Sequence, residues 1–185
     1  LIDMLNKHIH PVVPRKGSIG ASGDLVPLAH IGLCLIGEGT VVYQDTMMSS
    51  KEAFEKEGLQ PVLLQAKEGL ALINGTQLMS ALGCLFVYDA VQLLKHAQIA
   101  GALSLEALKG TNLAFREEIH QLRPHKGQMK CAKNLWQLTQ DSTIHKSHLD
   151  CGKVQDAYTL RCMPQVFGAS KDVFSFVKKM LETEI

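Results

Sequence analysis

Apolar positions recur with a helical period along most of the chain, and that spacing lays out the expected elements. Leu1, Ile2, Leu5 and Ile9 mark one face of a first helix. It must stop by His10, because Pro11 disfavours helical geometry in the residue before it and Pro14 follows soon after. A loop of small residues occupies 16–24. Residues 25–36 are almost unbroken apolar sequence and predict a buried helix, with Asp24 as its N-cap and Pro27 in the tolerated first turn. Gly37 and Gly39 close it. Thr40-Val41-Val42-Tyr43, short and β-branched, is the best strand candidate. Ser49 with Glu52 three residues on forms a capping box for a short exposed helix ending near Gly58.

From Gln65 the helical period resumes through Ala66, Leu70 and Ile73, meets Asn74-Gly75, and continues from Thr76 to about Leu108. An Asn-Gly pair favours a β-turn, but both flanks have the period of helices, so a break between two helices is expected. The more polar and basic stretch 116–150 predicts helices near 116–122 and 128–141. Residues 155–168 read as part helix and part loop. Ser170 is expected to cap a last amphipathic helix carrying Val173, Phe174, Val177, Met180 and Leu181. The expected fold class is mainly α, and the chain reads as a single helical piece over 1–185, without repeat or linker.

Composition agrees with helix-on-helix packing: aromatics are only 5% of the residues, fewer than a β-sandwich favours. With 19 Lys plus Arg against 18 Asp plus Glu, the net charge of +1 points to neither nucleic acid nor an anionic membrane surface. The apolar stretches are broken by polar residues before reaching about 18 positions, and no secretory signal opens the chain. The five cysteines, an odd number without close pairing, read as reduced thiols of a cytoplasmic protein. The chain opens at Leu1 inside a helical pattern and closes on Thr183-Glu184-Ile185 without cap chemistry. That reads as a piece of a longer protein.

The candidate chemistry starts in the loop. Its glycines at spacing three, Gly17, Gly20 and Gly23, allow a plain flexible connection or an anion-binding turn before a helix. A phosphate loop would end in Gly-Lys-Ser or Gly-Lys-Thr, whereas this one ends in Gly23-Asp24, with the wrong charge for a phosphate. A third reading is specific to Ala21-Ser22-Gly23. The Gly23 amide nitrogen can attack the Ala21 carbonyl carbon, and loss of two waters, one taking the Ser22 hydroxyl, leaves a methylidene-imidazolone. The attacking residue must be Gly for the backbone to approach closely, and the backbone must be held compressed by rigid surroundings. His145, His148 and Cys151, at spacing three, imitate a metal-binding face but lack a convincing fourth ligand; no metal is expected.

The run Gly17-Ser18-Ile19-Gly20-Ala21-Ser22-Gly23-Asp24-Leu25-Val26-Pro27-Leu28-Ala29-His30 resembles the signature of the aromatic amino acid ammonia-lyases. So do Lys67-Glu68-Gly69-Leu70-Ala71-Leu72-Ile73-Asn74-Gly75-Thr76-Gln77, Ile119-His120-Gln121-Leu122-Arg123-Pro124-His125 and Val154-Gln155-Asp156-Ala157-Tyr158-Thr159-Leu160-Arg161. Within that family, Asn74-Gly75-Thr76-Gln77 and Arg161-Cys162-Met163-Pro164-Gln165-Val166 are similar to the histidine ammonia-lyases. Arg15 departs from the pattern, which has Glu there.

The resemblance implies a long-helix bundle core with a small loop or β-hairpin region near the reactive loop. It implies that Ala21, Ser22 and Gly23 form the prosthetic group MIO (4-methylidene-imidazol-5-one) autocatalytically, with Asp24 assisting. Ser22, Asn74 and Tyr158 are the implied catalytic residues; Asn74, Gln155 and Arg161 the implied substrate-binding ones. Arg161 suits a carboxylate through its planar fork, and spacings of three would bring residues 155, 158 and 161 to one helical face. Read without the family, the same trio is a surface turn with an ordinary salt bridge. The implied activity is non-oxidative elimination of ammonia from L-histidine to give trans-urocanate. The implied assembly is a cytoplasmic homotetramer whose active sites are shared between subunits, with further site residues before Leu1 and beyond Ile185. A phenylalanine or tyrosine lyase, an aminomutase, and a non-catalytic truncated scaffold are the alternatives.

Overall fold

Helix α1 (Ile2–Asn6) is shorter than its apolar pattern, because His8 turns the chain at a φ of 55° and His10–Pro11 is drawn into a sheet as strand β1. The computed structural model describes residues 1–185. Strand β2 (Thr40–Tyr43) lies where its β-branched run predicts, and it pairs antiparallel with both β1 and a third strand, β3 (Thr46–Ser49). Gln44 and Asp45 join β2 to β3 with φ of 48° and 58°. Positive φ at both central residues is the type I′ hairpin geometry, whose twist matches that of the strands. The resemblance implies a β-hairpin region here, but the residue pattern marks only β2, because neither turn residue is Gly or Asn.

The chain divides into two units, Leu1–Leu82 and Gly83–Ile185. In the first, α2 (Leu25–Leu35) and α3 (Ser50–Glu57) pack on the sheet. Ser49 caps α3 as its sequence predicts, accepting from the Glu52 amide, and the helix ends at Gly58. The core here joins Met4, Ile9, Cys34, Leu35, Val41, Tyr43, Ala53 and Phe54. Burial pushes the Cys34 thiol pKa up, which marks it as a packing residue and not a nucleophile. Helix α4 (Glu68–Ile73) follows and breaks at Asn74-Gly75, as expected, before α5 (Gln77–Ala107).

The second unit contains most of α5, a 3-10 turn at Asn112–Phe115, α6 (Glu117–Gln121), α7 (Lys126–Thr139), α8 (Thr143–Lys146), α9 (Tyr158–Arg161) and α10 (Met163–Glu184). Helices α7 and α10 cross almost backbone to backbone. A Cβ placed on Gly127 would fall 2.2 Å from the Gly168 carbonyl oxygen, and one on Gly168 would fall 2.4 Å from the Gln128 Cα. Beside this crossing Ala102, Leu105, Phe115, Leu135, Leu160 and Met163 form the core. His120 is buried and satisfied: Nε2 reaches the Ala114 carbonyl at 3.0 Å, and Nδ1 meets the Gln128 amide at 2.9 Å. Ser170 is not the cap its sequence position suggests. It lies inside α10, donating back to the Val166 carbonyl; the helix starts at Met163 with Pro164 in the first turn, where a missing N–H costs nothing.

Only Leu94, Gln98, Ala102 and Leu105 of α5 are buried, a stripe three to four residues apart. Leu85, Phe86, Leu93 and Leu103 are each more than 60% exposed. The run Glu68–Ala107 is long and apolar enough, by length and composition, to cross a membrane, and none of its most apolar window is buried. The polar breaks expected from the sequence are too sparse to change that. An uncovered apolar surface of this extent drives association in water. The 185-residue chain is therefore expected to elute from size-exclusion chromatography as oligomers, and Leu85→Gln with Phe86→Gln to shift it towards monomer; elution unchanged by the pair would refute this.

An ion-pair network ties α1 to α3 and the hairpin. Lys7 Nζ sits 2.7 Å from Glu57 Oε2, while the Tyr43 hydroxyl donates to Glu57 Oε1. The hydrogen bond from Lys7, then that from Tyr43, hold the Glu57 carboxyl below its usual range. A lowered folded-state pKa contributes stability above the unfolded value, which is lost as pH falls through the folded one. Thermal melts should show the chain losing stability as pH falls below the ordinary carboxylate range. Glu57→Gln should shrink that acid-dependent loss, and an identical pH profile in the variant would exclude the network as its source.

Candidate active site

Ala21-Ser22-Gly23 lies in an exposed loop between β1 and α2, in a backbone that few residues adopt. Ser22 has a φ of 58° and Gly23 of 95°. A non-glycine residue in the left-handed region is strained by roughly 1–2 kcal/mol and persists only where surroundings impose it. The surroundings here are the Asn74-Gly75 break. A Cβ on Gly23 would fall 2.7 Å from both the nitrogen and the oxygen of Gly75, so only glycine fits at 23. The next amide, that of Asp24, donates to the Gly75 carbonyl at 2.8 Å. The helix break thus supplies the surface on which the loop is seated.

Asp24 has a different task from the one its position suggests. It precedes α2, yet its side chain makes no capping bond to that helix. One carboxylate oxygen instead accepts from the Met79 amide at 2.9 Å, in the first turn of α5, and the other from the Ser18 hydroxyl at 2.9 Å. The side chain is 2% exposed. It therefore caps a helix more than fifty residues away, satisfying one of that helix's orphan amides. Leaving such a buried carboxyl without donors would cost on the order of 1–3 kcal/mol. Asn74 ends α4 beside this contact, exposed, with its side-chain amide free of partners within the chain.

The other predicted residues belong to the second unit. Tyr158 and Arg161 share α9, with the guanidinium carbon 5.8 Å from the Tyr158 ring centroid, a cation–π distance. Arg161 Nε donates to the Asp156 carbonyl at 3.0 Å, and its two terminal nitrogens make no bond in the chain. The fork is fixed at its root and open at its end. Gln155 is the correction: it precedes the helix in exposed loop, so the three-residue spacing does not place it on the face of Tyr158 and Arg161. Helical periodicity fails there because α9 is a single turn of four residues.

Sequence reasoning missed the residue that holds this segment. Asp156, 5% exposed, accepts from the Thr111 amide at 2.6 Å and from Lys153 Nζ at 3.3 Å while its carbonyl anchors Arg161. The available signal was an acidic residue five positions before the arginine, which spacing alone cannot tell from a solvated charge. It missed Ser18 and Gly75 for the same reason: their roles are contacts, not patterns. Arg15 is exposed, and nothing in the structure explains its departure from the resembled pattern.

Comparison with known proteins gives this geometry its context. The family model described as aromatic amino acid lyase matches residues 1–185. Histidine ammonia-lyases of Alkaliphilus oremlandii and Myxococcus xanthus are 55% and 52% identical across the whole chain, which spans 36% of the length of each. Among solved structures, Pantoea agglomerans phenylalanine aminomutase superposes with a TM-score of 0.90 at 35% identity, over 99% of this chain and 38% of that one. Histidine ammonia-lyase from Trypanosoma cruzi does so with a TM-score of 0.83 at 39% identity, over 98% of this chain and 33% of that one. With a glycine-only contact holding Ala-Ser-Gly in a strained loop and a family match running from the first residue to the last, the chain belongs to the aromatic amino acid lyase family.

Proposed function

We propose that this chain carries the reactive core of a histidine ammonia-lyase, which eliminates ammonia from L-histidine to give trans-urocanate. The observation that carries the reading is the seating of Ala21-Ser22-Gly23: a left-handed Ser22 and a Gly23 pressed on Gly75. Those are the conditions that ring closure to MIO needs, a compressed backbone and an attacking nitrogen without a side chain in the way. The residues present fit the group. Histidine ammonia-lyases at 50–55% identity over the chain support the choice of substrate.

When formed, the group supplies an electrophile for a reaction whose leaving amine and β-proton are otherwise poorly activated. The chain's own side chains bind and orient. The open end of the Arg161 guanidinium takes the substrate carboxylate through two parallel N–H bonds, and the bond from Nε to Asp156 sets its plane beforehand. Tyr158, placed in the catalytic set with Ser22 and Asn74, offers a hydroxyl beside that same fork. Asn74 donates from the helix break next to the loop, and Gln155 adds a polar contact from the segment leading into α9. No metal has a part in this reading. The exposed apolar face of α5 supports a homotetramer with shared active sites, and five free cysteines support a cytoplasmic setting.

Ser22→Ala in the complete polypeptide is expected to leave folding nearly intact, since the residue is exposed in a loop, and to abolish urocanate formation. Turnover above a few per cent of the unsubstituted protein's would sink the prosthetic-group reading. Arg161→Lys keeps the charge and loses the fork, so kcat/KM should fall by about 1.5–3 kcal/mol in transition-state terms. Equal kinetics would remove Arg161 from the substrate site.

The aminomutase likeness favours one second reading: re-addition of ammonia at the β-carbon. Product analysis with L-histidine, L-phenylalanine and L-tyrosine separates the two. Urocanate with no β-amino acid is the outcome expected here.

A further inference from the structure

We infer that Ser18 is a positioning residue for maturation of the tripeptide: its hydroxyl bond to Asp24 closes the loop into an arc that holds Ala21-Ser22-Gly23 compressed. The inference rests on the reading of that tripeptide given above and adds a residue to it. Residues 13–23 make no backbone hydrogen bond within the chain. Among their side chains, Ser18 makes the single hydrogen bond, to Asp24 Oδ1 at 2.9 Å. Ile19 between them is 90% exposed, so apolar packing does not hold the arc either.

The far end of the arc is anchored. The Asp24 amide is fixed to the Gly75 carbonyl and its other carboxylate oxygen to the Met79 amide, with the side chain buried. The near end, at Ser18, is exposed and has only its hydroxyl to hold it. Ring closure requires the Gly23 nitrogen to bond to the Ala21 carbonyl carbon, its proton passing to the carbonyl oxygen. That oxygen then leaves as water with the Ser22 amide proton, and the Ser22 hydroxyl leaves as water with the Ser22 Cα proton. No oxidant or reductant is involved. The first step needs the two ends of the tripeptide closer than an extended loop allows, and an 18–24 tether restricts the loop to bent conformations. Ser18 touches none of the reacting atoms; it acts through Asp24.

The test follows maturation itself. The complete polypeptide is made by cell-free synthesis as the unsubstituted, Ser18→Ala and Ser18→Thr forms. Intact-mass spectrometry then times the loss of two waters, with circular dichroism melts as a check on folding. The expected result is maturation about tenfold slower in Ser18→Ala, the scale of one lost hydrogen bond to a carboxylate, with a melt that stays cooperative though somewhat lowered. Ser18→Thr, which keeps the hydroxyl, should restore the rate. Unaltered kinetics in Ser18→Ala would overturn the proposal, as would a Thr variant as slow as Ala. So would slow maturation that tracks a lowered melting temperature in both variants, which would assign Ser18 to stability alone. If the unsubstituted protein never loses the two waters, the tripeptide reading itself fails, and this inference with it.

Discussion

The contact between Gly23 and Gly75 governs the first unit. Two stretches 52 residues apart meet backbone to backbone, at a separation that no side chain on residue 23 could share. Around that contact the Asp24 amide bonds to Gly75 and the Asp24 carboxylate bonds to the first turn of α5. One residue thereby satisfies an orphan helix amide, fixes the exit of the loop, and leaves Ser22 in a conformation it would not hold in isolation. The strain in the loop and the break between α4 and α5 are consequences of one arrangement. The break gives the loop a surface to press on, and the loop gives the second helix its cap.

The second unit uses the same device for a different end. Gly127 and Gly168 let α7 and α10 cross at backbone distance, and apolar side chains close round the crossing. Against that scaffold the segment before α9 is held by Asp156, a buried carboxylate with donors from Thr111 and Lys153. In the proposed role of Arg161, a rigid root matters more to carboxylate recognition than the charge alone, because a bidentate fork is useful only in one plane. Three of the seven buried polar residues, Asp24, His120 and Asp156, are each bonded to backbone groups. They order loops and turns that apolar packing leaves unspecified.

The apolar outer face of α5 belongs to a different level of organisation. The helix buries one narrow stripe and leaves large side chains in water on the rest of its circumference. The chain spans 36% of its relatives' length, and its own residues leave that face uncovered.

The mainly α class, nearly every helix and the hinge at Asn74-Gly75 were legible in the sequence, because amphipathic period and breaker residues are local properties written at fixed spacing. The tripeptide at 21–23 was legible as a motif through the fourteen residues 17–30 that resemble a family signature, and the Tyr158–Arg161 pair through the run Val154–Arg161, neither through any spacing of its own. Tertiary structure decided the rest. Asp24 caps α5 and not α2 because the amides it meets are brought to it by the fold, and a residue's place in the chain carries no record of a partner fifty positions on. Ser170 lies within a helix because Pro164 opens that helix two turns earlier, and Gln155 leaves the α9 face because the helix is one turn long. Ser18, Gly75 and Asp156 owe their roles to distances across the fold, and distances of that kind exist only once the chain has folded.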